Sequence, residues 1–217
     1  MAPDERNLPL FPLNTVLFPN ALLPLQIFEE RYKEMLRDCL NADSRFGIVL
    51  IKSGQEVGES SVPHNVGTVG QIVQVSEARG GSRFFVSLQG ERRFSIKSIT
   101  QHRPYMAADV ELLDEETQPD LMGSEMERVK GALTQYRSLI SGLEGGWVGE
   151  ARITADPVTL SYHIASVLQI NMAERQALLE EPSASARLQA ELKYLHRDVD
   201  VLKRQVSRRL LRKFSNQ

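Results

Sequence analysis

The chain of 217 residues has few of the side chains that build disulfides and metal sites, with one cysteine and four histidines. Because Cys39 stands alone, no intrachain disulfide can form, and a lone thiol fits a reducing compartment. The histidines are scattered, and neither H-E-x-x-H nor C-x-x-C occurs. The sequence therefore predicts no metal site. Cys39 falls on the apolar side of a predicted helix, which indicates a buried, inert thiol.

Motifs for nucleotide hydrolysis and for nucleophilic catalysis are also missing. No glycine is followed by lysine, so a G-x-x-x-x-G-K-[S/T] loop is excluded, and G-x-S-x-G does not occur. Paired carboxylates such as Glu29-Glu30 and Glu180-Glu181 are adjacent in sequence, and adjacent residues on a helix do not face each other. We therefore expect a non-catalytic protein with no catalytic residue and no cofactor.

Long hydrophobic runs and a strong charge of one sign are absent as well. The longest apolar-rich stretch, from Val16 to Phe28, is broken by two prolines, an asparagine and a glutamine, so it cannot span a bilayer. Met1 to Asn7 lack the basic and apolar segments of a signal peptide. A net charge of −2 gives no overall attraction to nucleic acid or anionic lipid. We expect a cytoplasmic protein without a membrane partner.

The first half of the chain carries short apolar blocks that are typical of strands. Four prolines between Leu8 and Pro24 remove ladder donors, which indicates bent or edge strands. Phe46 to Ile51 is a continuous apolar run, as in a strand buried on both faces. From Phe28 to Leu40, apolar residues recur at spacings of three and four, which predicts one helix. We predict an antiparallel or mixed β-barrel with this helix inserted, forming a domain over residues 8–114.

The second half, residues 121–217, predicts a C-terminal helical bundle, which makes the fold class α+β. An acidic segment with a proline and a glycine separates it from the barrel. Asp156-Pro157 is a strong helix start, and Asn171 with Glu174 predicts a capping box. The last helix runs from Ser183 to about Phe214, and at 1.5 Å per residue it is roughly 45 Å long.

This long last helix is amphipathic and basic. Its cations are Arg187, Lys193, Arg197, Lys203, Arg204, Arg208, Arg209, Arg212 and Lys213. They form either a solvated face or a surface for nucleic acid, an acidic partner or a membrane surface. Its apolar stripe, which begins at Leu188, either packs on the preceding helices or forms the seam of a homodimer.

Three stretches of the sequence resemble the N-terminal, substrate-binding domain of Lon-type proteases. Residues 8–25 are similar to the family pattern LPLxPLxxxVxFPxxxxPLxV, and residues 67–72 with 84–94 are similar to GTVAxI…VxVxGxxRxxI. A weaker match covers residues 164–168 and 176–180. The resemblance implies a PUA-like β pseudobarrel followed by a helical bundle, and a role in binding protein substrates or unfolded segments. The ATPase and Ser-Lys peptidase motifs of the family are expected to be absent.

For such a binding role, the corner where the first strands meet the first helix is the candidate peptide-contact region. Its residues are Phe18, Pro19, Phe28, Glu29, Glu30 and Arg31. The plain alternative is that they are core aromatics beside a helix N-terminus. A different function, RNA binding, follows from the use of PUA-like barrels in RNA-binding families and from the charge of Arg92-Arg93 and the last helix, but the net charge argues against it.

Overall fold

The computed structural model describes residues 4–56, 61–78, 80, 82–116, 123–144 and 154–214. Six strands and five helices lie in these ranges, and the mixed α+β class is confirmed. Their bounds are β1 Asp4–Leu13, β2 Leu22–Ile27, α1 Glu30–Leu40, β3 Arg45–Ser53, β4 Val62–Glu77, β5 Phe84–Gln101, β6 Met106–Leu112, α2 Gly123–Glu144, α3 Pro157–Val167, α4 Met172–Glu180 and α5 Ala184–Phe214.

The chain divides into two compact units. The barrel unit comprises Met1–Glu115 and Asn171–Pro182, and the helical unit comprises Glu116–Ile170 and Ser183–Gln217. The sequence-based division of the chain at residues 114–121 places α4 with the other helices. In the structure α4 groups with the strands. The spacing of its apolar residues shows which face of α4 is apolar but not which unit that face contacts.

The strands of the barrel unit form one mixed sheet in the order β2-β5-β4-β3-β1-β6. An additional antiparallel pairing of β6 with β5 closes five of the strands into a ring. The β1–β3 pair is parallel, and the other pairs are antiparallel. Among the described strands, β2 pairs with β5 alone and lies at a free edge.

Two clusters of apolar side chains fill the barrel unit, and glycines bring the strands into contact with them. A methyl group at Gly47 would lie 2.7 Å from the Phe94 ring, and one at Gly67 would lie 2.5 Å from the Ile48 carbonyl oxygen. Real side-chain carbons do not approach that closely, so only glycine fits these positions. The predicted strand at residues 46–51 is confirmed within β3, where Phe46 and Ile48 are buried.

The helix α1 differs from its predicted apolar stripe at both ends. Tyr32, Met35 and Cys39 are buried as the spacing predicts, but Phe28 is 49% exposed and Leu40 is 43% exposed. Phe28 leaves the stripe because the helix begins only at Glu30, after an extended residue at position 29. The ring of Phe28 therefore lies on the surface.

The helix α4 attaches to the barrel through side-chain to backbone bonds. The predicted capping box is confirmed: the Glu174 amide donates to the Asn171 side chain at 2.8 Å, and the Asn171 amide donates to the Glu174 carboxylate at 3.1 Å. The Gln176 amide Nε2 donates to the Val66 carbonyl of β4 at 3.0 Å. Gln176 is 2% exposed, so the donor of this part-buried bond is shielded from water.

The helical unit is built from α2, α3 and α5. The predicted start of α3 is confirmed, since the Asp156 carboxylate accepts from the Thr159 amide at 2.8 Å and Pro157 is the first helical residue. α5 contacts α2 and α3. Its apolar stripe is buried at Leu188, Leu195 and Leu202. Part of the predicted linker, residues 117–122, lies outside the described residues.

Candidate functional site

The candidate contact residues at the first corner fall into two groups, and the first group is interior. Phe18 is 1% exposed and Pro19 is buried. The Arg175 guanidinium lies 5.1 Å from the centroid of the Phe18 ring, within range of a cation–π contact. Buried side chains cannot touch a ligand on the surface, so these two residues would support the corner from within.

The second group lies at the surface around the start of α1. Arg31 forms an ion pair with Glu29 at 3.0 Å, and its guanidinium lies 4.4 Å from the Tyr32 ring centroid. Glu30 pairs with Lys33 at 2.7 Å, and this partner lowers the pKa of the Glu30 carboxyl. The charged groups of Glu29, Glu30 and Arg31 are thus paired with neighbouring charges. Phe28 supplies the exposed apolar surface at this corner. Its contact with a peptide stays a prediction.

A second exposed region is a three-stranded flap formed by β2 (residues 22–27), the second part of β4 (residues 71–77) and the first part of β5 (residues 84–89). Cross-strand pairing places two rows of side chains on its outer face. One row joins Gln26, Phe85 and Ser76, and the other joins Pro24, Ser87 and Gln74. The side chains of a row point to the same face of the sheet.

These two rows line a groove of about 290 Å³. Its described lining residues are Pro24, Leu25, Gln26, Gln74, Ser76, Phe85, Val86 and Ser87. None of them carries a charge, and Phe85 is 48% exposed. The sequence pattern identifies Phe85 as a surface aromatic residue, because Phe85 lies on the same side of its strand as the polar residues Ser87 and Gln89. It does not predict the groove, which depends on the register of β5 with β2 and β4.

A different cavity, of about 380 Å³, lies between the last turn of α1 and the first part of β1. Its charged side chains bond to one another: Arg45 pairs with Asp43 at 2.7 Å and with Glu5 at 3.1 Å. Cys39 contributes to the lining, and burial raises the pKa of its thiol to about 12. At neutral pH this thiol is protonated, which agrees with the inert role that the sequence predicts.

Two arginines that the sequence offers as surface charge are buried. Arg93 is 2% exposed and Arg187 is fully buried. Arg93 bonds to backbone carbonyls, and the Nε of Arg187 donates to the Ser161 hydroxyl at 2.8 Å. The prediction that they contribute to a nucleic-acid surface is wrong, because a buried guanidinium cannot reach a phosphate. The sequence alone does not separate them from exposed neighbours such as Arg92 and Lys193.

Within the described ranges, no group of three or more His, Cys, Asp or Glu residues could hold a metal ion. None of the helices in those ranges is both long and apolar enough to cross a membrane. The barrel unit thus carries an exposed aromatic corner, an uncharged groove and a cavity whose charged side chains pair with one another.

The chain belongs to the family of Lon substrate-binding domains. The family model described as the ATP-dependent protease La (LON) substrate-binding domain matches residues 7–197. This range includes β1 from residue 7 onward, the whole of β2 to β6 and most of the helical unit. The resemblance on residues 8–25, 67–72 and 84–94 is therefore confirmed.

Several relatives share this domain. Lon protease 2 of Myxococcus xanthus is 26% identical over 202 residues, which cover 90% of this chain and 24% of that protein. Lon protease 2 of Sorangium cellulosum is 28% identical, with 93% and 26% covered. The chain thus spans about a quarter of the length of these relatives.

Solved structures match as well. The Lon N-terminal domain protein from Xanthomonas campestris has a TM-score of 0.67 and 26% identity, covering 86% of this chain and 97% of that one. The N-terminal domain of the Mycobacterium avium complex Lon protease has a TM-score of 0.64 at 17% identity, covering 88% of this chain and 98% of that one, and it supports the fold alone.

Proposed function

We propose that this chain is a substrate-binding module that holds unfolded or extended segments of other proteins. The observation that carries the proposal is the exposed ring of Phe85 in an uncharged groove, on a domain of a substrate-binding family. An unfolded protein differs from its folded form in the apolar side chains and backbone amides that it exposes. An exposed ring among neutral polar groups offers contacts to both.

This proposal includes the finer assignments that follow from the family. The barrel is of the PUA-like type, residues 8–114 together with α4 act as one domain and the other helices of residues 121–217 as the second, and the protein works in the cytoplasm. Binding requires no cofactor and no metal, and the chain itself catalyses no reaction. Candidate contacts at the first corner are Phe28, Glu29, Glu30 and Arg31, with Phe18 and Pro19 as their internal support. RNA binding is not proposed, because Arg93 and Arg187 are buried.

Self-association through α5 is a separate proposal. Leu188, Leu195 and Leu202 are already buried, so this part of the heptad stripe is not available as a dimer seam. The proposed dimer uses the flank of α5 that carries Val201, which is 40% exposed. Sedimentation equilibrium of the wild-type protein and of V201E tests this proposal. A dimer that V201E dissociates supports it, and a monomer at all concentrations contradicts it.

The proposed function is tested with a labelled protein that exists in a stable unfolded form and in its native form. Fluorescence anisotropy should show binding of the unfolded form with a Kd of roughly micromolar order, about −8 kcal/mol, and no binding of the native form. Equal binding of both forms, or binding of neither, would contradict the proposal. Casein should be hydrolysed only at the background rate, with and without ATP.

A further inference from the structure

The outer face of the flap carries an apolar side chain where water-facing strands carry polar ones. β5 alternates strictly here, with Val86 and Leu88 buried and Phe85, Ser87 and Gln89 on the other face. Antiparallel sheets with one solvated face normally place polar residues on it. Phe85 has no apolar side chain opposite it in the row, since its cross-strand neighbours are Gln26 and Ser76.

The polar groups around the Phe85 ring share one chemical property. Gln26 and Gln74 carry side-chain amides, and Ser76 and Ser87 carry hydroxyls, so each can both donate and accept a hydrogen bond. Among the described residues, none of these four side chains makes a hydrogen bond within the chain. Groups of this kind complement the N–H and C=O of a peptide backbone, which also come in donor and acceptor pairs.

The absence of charge in the described lining selects against ions. A charged side chain or a phosphate entering the groove would lose part of its hydration and meet no opposite charge. A neutral apolar side chain would lose no such hydration and would gain contact with the Phe85 ring. The groove therefore fits a neutral, extended segment better than a charged peptide or a nucleic acid.

We propose that the flap groove binds an extended, uncharged polypeptide segment, with an apolar side chain seated on Phe85 and the backbone bonded by Gln26 and Gln74. This inference rests on the proposed function and assigns it to a site. The two glutamines lie in neighbouring rows on the outer strands of the flap, with β5 between them. At about 4.8 Å between strands and about 6.8 Å between the two rows, they stand roughly 12 Å apart, close to the length of three to four extended residues.

Two variants and one control test the site in the full chain. F85A removes the seat for the apolar side chain, and Q74E places a negative charge in the groove. L40A is the matched control, because Leu40 is also an exposed apolar residue but lies at the end of α1 and does not line the groove. The probes are a labelled ten-residue peptide with one central phenylalanine among uncharged residues, and the same peptide with lysines flanking the phenylalanine.

We expect F85A to weaken binding of the uncharged peptide by about tenfold, as for a central aromatic contact, and L40A to leave it unchanged. Q74E should weaken the uncharged peptide and strengthen the lysine peptide. The thermal midpoint of each variant establishes that it is folded. If F85A proves unfolded, the opposite responses of the two peptides to Q74E carry the test alone.

The outcomes separate this inference from the proposed function. Loss of binding in F85A and the charge response of Q74E support the groove. Binding by the wild type that neither variant alters overturns the groove and leaves a substrate-binding module with its site elsewhere. No binding of either peptide by the wild type, together with no binding of an unfolded protein, overturns both.

Discussion

Removal of the buried guanidinium of Arg93 should detach the end of α4 from the barrel. Nη1 of Arg93 donates to the carbonyl oxygens of Leu179 at 3.0 Å and Glu181 at 2.9 Å. Nη2 forms an ion pair with Glu115 at 3.0 Å, and its side chain is 1% exposed. The last carbonyls of a helix lack partners within the helix, so Arg93 supplies partners that α4 cannot supply itself.

The size of the effect follows from burial. Loss of one partner of a buried, hydrogen-bonded charge pair costs about 3–5 kcal/mol, because the remaining groups stay buried without partners. We therefore expect R93M to lower the free energy of unfolding of the barrel unit by that amount. R92M is the matched control, since the neighbouring Arg92 is 44% exposed and pairs with an exposed aspartate. An exposed pair contributes about 0–1 kcal/mol.

Urea unfolding followed by circular dichroism gives the change in stability, and amide hydrogen exchange locates it. In R93M, exchange should accelerate at the amides of α4, from residue 176 to residue 181, relative to both the wild type and R92M. If R93M and R92M lose the same stability, or if α4 exchanges at the wild-type rate in R93M, Arg93 does not anchor this helix.

Three further changes test the interior of the two units. T68V should cost about 1–3 kcal/mol in urea unfolding, because the buried Thr68 hydroxyl donates to the Leu17 carbonyl at 2.6 Å; equal stability of T68V and wild type would contradict this bond. G90A should cost about 1–3 kcal/mol by crowding, since an added methyl group would overlap the Phe18 carbonyl oxygen, and wild-type stability of G90A would refute the close approach. Burial raises the pKa of the Glu191 carboxyl well above its ordinary value. The stabilisation from its protonated form is complete at pH values below the ordinary pKa and is lost as pH rises through the raised pKa. The stability of the wild type relative to E191Q should therefore fall as pH rises. Identical pH profiles of the two proteins would show that Glu191 is not the titrating group.

The parts of the fold that sequence patterns predicted are those that local chemistry controls. Proline-broken blocks predicted the first strands, and two helix starts were predicted because an N-cap carboxylate and a capping box depend on residues three apart. The continuous run at Phe46 to Ile51 predicted a buried strand. The grouping of α4 with the barrel could not be predicted in this way, because it depends on contacts between residues more than a hundred positions apart, such as Gln176 with Val66.

The same limit applies to the candidate site. Arg92 and Arg93 are adjacent and chemically alike, yet one is exposed and the other is buried. Alternation along a strand places adjacent side chains on opposite faces of the sheet, but it does not determine which face is buried. The helical spacing predicts Phe28 within the apolar stripe of α1, but Phe28 lies on the surface. The helix begins only at Glu30, so the helical spacing does not set the direction of the Phe28 side chain.

Amide hydrogen exchange in the presence of a saturating unfolded protein tests whether the barrel unit binds unfolded polypeptide. We expect slower exchange in the flap, at residues 22–27 and 84–89, and unchanged exchange in α2 and α3. The native form of the same protein should leave the exchange of every element unchanged. Slower exchange confined to α5, or no change anywhere at saturation, would show that the barrel unit does not bind unfolded polypeptide.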